Sequence, residues 1–161
     1  MTRRQAAAGI LANAALAGTT TGSSAQDIQS RALPPPRTSG GRPLIEALKL
    51  RRSAREYSDR PLPAQVLSDL LWAAFGINRP DGGRTAPYAR EIVAIDIYAA
   101  MVDGVWLYEP KAHALLPHIK DDIRAQTGLQ DFVANAPLNL VYVAHGERMT
   151  ALSAEEARFD A

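Results

Sequence analysis

Three arginines and a serine lie close together in the segment LKLRRSAREY, at Arg51, Arg52, Ser53 and Arg55. A guanidinium group offers paired N–H donors that match the oxygens of a phosphate, and it keeps its charge at any ordinary pH. A serine hydroxyl can donate to the same anion. These side chains are therefore suited to holding a phosphate together with an electron-rich ring.

The positive charge of the chain is concentrated around this segment. Between Lys49 and Arg60 there are five basic and two acidic side chains, whereas the net charge of the whole chain is +1. A local excess of this kind indicates an anionic partner. The alternative is that the basic residues complement the dipole at the end of a helix and are solvated. Composition alone leaves both interpretations open.

The elements around the segment determine how its side chains are presented. Pro43 is predicted to open a helix whose apolar stripe runs to about Leu50, after which the chain is expected to extend. Side chains alternate between two faces of extended backbone. We therefore expect Ser53, Arg55 and Tyr57 on one face, with the end of the helix approaching the same ligand from another direction.

Further along the chain, the pattern of apolar residues predicts a mixture of helices and antiparallel strands. The predicted elements are a helix from Pro63 to Gly76, a strand over residues 92–101, a return strand over 105–109, a short helix over 121–127 and a strand over 138–144. The last strand is apolar throughout, so we predict that it is buried on both faces.

Composition excludes several classes of protein. The chain has 161 residues and no cysteine, so disulfides and thiolate chemistry are absent. The three histidines show no metal-ligand spacing, and the net charge does not favour binding to nucleic acid. No apolar run reaches the roughly 18 residues needed to span a bilayer.

Both ends of the chain carry signals of their own. Residues 1–25, with Arg3-Arg4 and a small-residue stretch, predict a twin-arginine-like export signal and hence a periplasmic or exported protein. The alternative is a disordered alanine-rich extension on a cytoplasmic protein. Residues 26–42 predict a Pro/Gly linker, so the domain is expected to occupy residues 43–161. A capping-box pattern that begins at Ser153 predicts the start of a further helix close to Ala161. We therefore expect the fold to be incomplete at the C-terminus.

Several blocks in the same order resemble the bacterial nitroreductase family. The Arg-Arg-Ser-x-Arg-x-Tyr block is followed by WAAFGINR at residues 72–79, RTAP at 84–87, IDIY at 95–98 and GVWLYEP at 104–110. The resemblance runs from about Pro43 to Asp160. The subgroup of the family that the chain resembles includes the peptide thiazoline oxidases. The chain departs from the family pattern at Glu91, where an amide is usual.

The resemblance implies an α+β fold, with a sheet flanked by helices, and a homodimer that binds FMN at its interface. Hydride would pass from NAD(P)H through the flavin to a nitroaromatic, quinone or similar small acceptor. Arg51 and Ser53 would then contact the phosphate and ribityl region, Arg55 would lie near the N1 and O2 edge of the flavin, and Arg52 would be a further member. No protein acid or nucleophile is required.

Three functional hypotheses follow. The first is an FMN-dependent oxidoreductase of nitroreductase type. The second is a truncated, catalytically silent relative that serves as a dimerisation or ligand-binding module. The third is an unrelated exported domain whose arginines hold another phosphate. Flavin absorbance that NAD(P)H bleaches would distinguish the first from the other two.

Overall fold

The computed structural model describes residues 29–88 and 92–149. The predicted export signal at residues 1–25 and the predicted helix from Ser153 lie outside these ranges, as does Glu91. Within them, no helix is long and apolar enough to cross a membrane.

Two helices and five strands make up the regular structure of the described residues. In chain order they are β1 (Arg31–Ala32), α1 (Leu44–Leu50), α2 (Ala64–Phe75), β2 (Ile95–Met101), β3 (Gly104–Glu109), β4 (Ala114–Ile119) and β5 (Asn139–Ala144). Three 3₁₀ turns follow β4 and β5, at Arg124–Gln126, Asp131–Asn135 and Gly146–Met149.

The strands form one antiparallel sheet in the order β1-β4-β3-β2-β5. A two-residue turn joins β2 to β3, where Met101 pairs with Gly104. Gly104 has a φ of 124°, a value that is unfavourable for residues with a side chain. The α+β class predicted from the sequence is thus confirmed, as are both helices and the β2–β3 hairpin.

The core lies between α2 and one face of the sheet. Leu67, Leu71 and Phe75 recur every four residues along α2 and are all buried. They form one apolar cluster with buried residues of the three middle strands: Ile97, Ala99, Met101, Trp106, Tyr108 and Leu115. Pro63 precedes α2 and Gly76 follows it, as their residue types predict.

The folded part begins earlier in the chain than predicted. Arg31 and Ala32 pair with Leu115 and Ala114 of β4, although the sequence had placed the start of the fold near Pro43. Residues 31–37, here called the N-terminal strap, continue from this pairing across α2. Arg37 donates to Asp69 of that helix from its backbone N–H at 2.8 Å and from its side chain at 2.7 Å.

Two other predicted elements differ from those observed. The helix predicted over residues 121–127 is a single 3₁₀ turn, because the Asp122 carboxylate accepts the backbone N–H of Arg124 at 3.1 Å and competes with helical bonding. The prediction that the last strand is buried on both faces is wrong. β5 pairs with β2 alone among the described strands and lies at the edge of the sheet, with Tyr142 57% exposed.

Candidate functional site

The predicted site begins where α1 ends. The backbone N–H of Arg51 still donates to the carbonyl of Ala47 at 2.9 Å, but Arg51 itself is extended, with φ of −62° and ψ of 124°. Residues 51–58 contain no helix or strand. The expected change from helix to extended chain at this point is therefore confirmed.

All four predicted site residues are exposed. The side chains of Arg51, Arg52 and Ser53 make no hydrogen bond or ion pair with any other residue that the structure describes. Arg55 places its guanidinium carbon 5.7 Å from the centre of the Phe132 ring, within the range of a cation–π contact. Arg52 has no carboxylate partner among the described residues.

Arginines elsewhere in the described chain are mostly bound to carboxylates. Six of them form ion pairs with acidic side chains: Arg31, Arg37, Arg42, Arg79, Arg124 and Arg148. The described arginines that lack such a pair are Arg84 and four members of one segment: Arg51, Arg52, Arg55 and Arg60. Apart from Arg84, the described arginines without a carboxylate partner thus all lie in the segment that the sequence indicated.

An open groove of about 870 Å³ runs between this segment and the body of the domain. Its lining includes Arg55 and Arg60 together with the carboxylates Glu56 and Asp59, residues of the β2–β3 turn, and Ala134, Asn135 and Pro137. Arg51, Arg52 and Ser53 do not line the groove. The structure therefore brings Arg55 to the groove and leaves the other three predicted residues at its approach, on the exposed segment.

Two more arginines line the groove that the sequence had not indicated, Arg31 and Arg124. Each is already neutralised. Arg31 lies 2.5 Å from the carboxylate of Asp103. Partial burial alone would raise the pKa of Asp103, but the hydrogen bond with Arg31 lowers it below the ordinary value. Arg124 donates to Asp122 at 2.8 Å and to the carbonyl of Ala136 at 2.7 Å.

The RTAP block is fixed to the end of α2. Thr85 donates from its backbone N–H to the carbonyl of Gly76 at 2.9 Å and from its hydroxyl to that of Trp72 at 3.1 Å. Arg84 lies with its guanidinium carbon 4.6 Å from the centre of the Phe75 ring. Arg84 also donates to the carbonyl of Phe75 at 3.2 Å, so it is a structural residue of the loop rather than one of the free arginines of residues 51–60.

The chemistry available at this site is the binding of an anion. Guanidinium groups without a carboxylate partner retain their donors for a ligand, and a phosphate can accept two at a time from each. Among residues 29–88 and 92–149, no group of three or more His, Asp or Glu side chains is arranged to hold a metal ion.

The sequence model of the nitroreductase family matches residues 48–161 of the chain. A protein of Methanocaldococcus jannaschii, provisionally named a nitroreductase, is 34% identical over 124 residues. This alignment covers 67% of the present chain and 63% of that protein.

A solved structure shows that the similarity extends to the fold. The crystal structure of a provisionally named nitroreductase from Ralstonia eutropha JMP134 superposes with a TM-score of 0.76 and 43% identity, over 82% of this chain and 63% of that one. The chain thus spans 63% of the length of each of these two relatives. With the family match extending over most of its length, the chain belongs to the nitroreductase family.

Proposed function

We propose that the protein is an FMN-dependent oxidoreductase of nitroreductase type. The observation that supports this proposal is the cluster of exposed guanidinium groups at Arg51, Arg52 and Arg55, which have no carboxylate partner among the described residues. Family membership indicates which ligand these groups bind, since nitroreductases generally bind FMN and use NAD(P)H as the hydride donor.

The donor set of this segment fits the cofactor. Arg51 and Ser53 would bind the phosphate and ribityl region, since both offer donors to anionic or hydroxyl oxygens. Arg52 would add a further charge at the phosphate. Arg55 would face the N1 and O2 edge of the flavin, where a cation stabilises the negative charge that accompanies reduction.

The chemistry that a bound flavin supplies is hydride transfer from NAD(P)H to a nitroaromatic, quinone or similar small acceptor. The residues of this chain would contribute binding and electrostatics rather than acid–base catalysis. Members of the family are typically homodimers, and we propose the same assembly for this protein.

Titration of the purified full-length chain with FMN tests the proposal. We expect saturable binding, followed by loss of flavin absorbance on addition of NADH or NADPH and its recovery when a quinone is added. Arg51→Ala and Arg55→Ala should each weaken FMN binding by about 10- to 100-fold, because a charge-assisted hydrogen bond contributes roughly 1.5–3 kcal/mol. Arg55→Ala should also lower the reduction potential of bound FMN.

Arg42→Ala is the matched control, because Arg42 is also exposed but is paired with Glu46 at 3.1 Å. It should leave FMN affinity unchanged. Unaltered FMN affinity and potential in Arg51→Ala and Arg55→Ala would contradict the assigned roles. A folded chain that remains colourless with excess FMN would favour the catalytically silent relative instead.

We also propose that the protein is exported, on the basis of Arg3-Arg4 and the small-residue stretch that follows. Mass spectrometry of the protein recovered from the periplasm should give a mature N-terminus near Gln26. Recovery of the full-length chain in the cytoplasm alone would contradict export.

A further inference from the structure

The N-terminal strap is bound to the domain at several points along its length. The backbone N–H of Leu33 donates to the carbonyl of His113 at 3.1 Å. One residue later, the carbonyl of Pro34 accepts from the hydroxyl of Ser68 at 2.6 Å and lies 3.1 Å from Nε2 of His113. His113 therefore contacts the strap through both its backbone and its side chain.

The positions of the hydrogens around His113 follow from these contacts. Ser68 is fully buried and has one proton, which the carbonyl of Pro34 accepts. Nε2 of His113 lies 2.7 Å from the same hydroxyl oxygen, so it must carry the hydrogen that this contact needs. In a neutral ring Nδ1 is then an acceptor, and the hydroxyl of Tyr108 donates to it at 3.0 Å.

Protonation of the ring breaks this arrangement at one atom. A charged imidazole carries hydrogen on both nitrogens, so Nδ1 can no longer accept from Tyr108. The Tyr108 side chain is only 4% exposed, and its hydroxyl has no other acceptor among the described residues. A buried donor without an acceptor is unfavourable. Moving His113 outward would relieve the conflict, and that movement breaks the hydrogen bond to Leu33 and leaves the carbonyl of Pro34 with the Ser68 hydroxyl alone.

The charged groups near the ring do not reverse this preference. The carbonyl of Pro34 and the carboxylate of Asp69 both favour the charged imidazole, but Arg37 is paired with Asp69, and burial of the ring outweighs both. Arg84 lowers the pKa of Tyr108 and Glu109 raises it, so their charges oppose each other. Burial raises the pKa of Tyr108 to about 12 and lowers the pKa of His113 below its ordinary value.

We propose that His113 is a proton-sensitive latch, which fastens the N-terminal strap at Leu33 while its ring is neutral and releases the strap at this point when the ring is protonated. His113 itself has a φ of 46°, so its release also relieves an unfavourable backbone conformation.

The direction of the pH effect follows from linkage. A histidine that is neutral when bound and has an ordinary pKa near 6.5 when released binds its proton more weakly in the docked state. Docking is therefore fully favoured above about pH 6.5 and is lost progressively below it, by up to about tenfold in the opening equilibrium per pH unit. Asp69 does not titrate in this range, because hydrogen bonds from Arg37 and Gln65 lower its pKa to about 2.

Hydrogen exchange of the Leu33 amide, measured in the full-length chain from pH 5 to 7.5 and corrected for intrinsic exchange, tests the latch. We expect the opening equilibrium to rise by up to about tenfold per pH unit below 6.5. In His113→Gln this dependence should disappear. In Tyr108→Phe it should become shallower, because no buried hydroxyl then loses its acceptor. His118→Gln, which changes an exposed histidine, should behave as the wild type.

An NMR titration of the His113 ring in the unaltered protein provides a test that does not depend on any variant folding. The ring should titrate below its ordinary value in the wild type and closer to it in Tyr108→Phe. Exchange of Leu33 that does not vary with pH, a dependence that persists in His113→Gln, or a His113 ring that titrates at or above pH 6.5 would each overturn the latch.

Discussion

Asp96 and Arg148 form a two-point ion pair on β2, where Asp96 points away from the core face that its neighbour Ile97 occupies. The two guanidinium nitrogens Nη1 and Nη2 lie 2.8 Å from Oδ1 and Oδ2 of Asp96 respectively. His145 places Nε2 3.0 Å from the same carboxylate. The hydrogen bonds from Arg148 lower the pKa of Asp96 despite its partial burial. Asp96 thus ties the last 3₁₀ turn to β2.

This pair predicts a specific pH dependence of stability. Because the pKa of Asp96 is lowered in the folded state, its contribution is complete above about pH 4 and is lost as the pH falls through the lowered value. Asp96→Asn should reduce the free energy of unfolding by about 1–2 kcal/mol at pH 7, since the partly exposed arginine limits the gain. Urea unfolding at pH 7 and pH 3 should show a smaller acid-induced loss in the variant.

Asp121→Asn supplies the matched control, because this exposed aspartate forms no ion pair with another described residue. It should follow the wild type at both pH values. If Asp96→Asn lost as much stability between pH 7 and pH 3 as the wild type does, the bidentate pair would not be the source of the dependence.

At the scale of single residues, the sequence could identify the cation cluster but not which arginines remain unpaired. Residue type and spacing predicted Arg51, Arg52, Ser53 and Arg55, whose roles remain predictions. The pairing of Arg31 with Asp103 and of Arg37 with Asp69 joins residues far apart in the chain. No local pattern contains that information, because the fold alone brings these charges together.

Among the elements, the β2–β3 turn shows how a local pattern and a long-range contact act on one residue. The strands predicted over residues 92–101 and 105–109 require a turn between them, and Gly104 in this turn has a positive φ. A Cβ at this position would also overlap the carbonyl oxygen of Ile119 on β4. The close approach of two strands therefore adds a second reason for glycine, beyond the turn conformation that the sequence indicated.

Substitution of two glycines separates these effects. Gly82 also has a positive φ, of 88°, but a Cβ there would meet no atom within 4 Å. Gly82→Ala should cost about 1–2 kcal/mol from backbone strain alone. Gly104→Ala should cost about 1–3 kcal/mol more, from the added overlap with β4. Chemical denaturation of both variants measures the difference, and equal losses would show that the approach of β4 is not limiting.

Strand β4 is an element that could not be predicted from the sequence. Its six residues include Pro117, and a proline within a short apolar run argues against a strand. In the structure the β3–β4 register shifts at this point, because Val105 pairs with Ile119 while Trp106 pairs with Pro117. The extra residue, His118, marks a bulge, which accommodates the missing N–H of proline. Strong periodicity predicted α2 correctly, whereas this irregularity carries no periodic signal.

For the molecule as a whole, the main unexplained surface is the apolar face of α1. Leu44, Ile45 and Leu48 are 71%, 64% and 56% exposed, and this seven-residue helix buries none of its residues. A helix of this length is not stable in isolation and requires packing. Since we propose a homodimer, the second copy is the occupant that we assign to this face.

The double variant Leu44→Asp/Leu48→Asp tests this assignment. Burial of each leucine contributes roughly 1.5–3 kcal/mol, so its loss should raise the dimer dissociation constant by at least about 100-fold. Sedimentation velocity over a concentration series measures the change. Lys49→Asp alters the net charge by the same amount on the same helix and should leave the dimer intact. A wild-type chain that is monomeric throughout the series would contradict the homodimer itself.

The same variant also connects assembly to cofactor binding. Arg51 follows α1 directly in the chain. A partner subunit that orders this helix therefore also fixes the position of Arg51, the first of the proposed FMN-binding residues. We therefore expect Leu44→Asp/Leu48→Asp to weaken FMN binding although it changes none of the proposed FMN contacts. FMN titration and sedimentation on the same samples separate the two effects. A monomer that still binds FMN with wild-type affinity would place the whole site within one subunit.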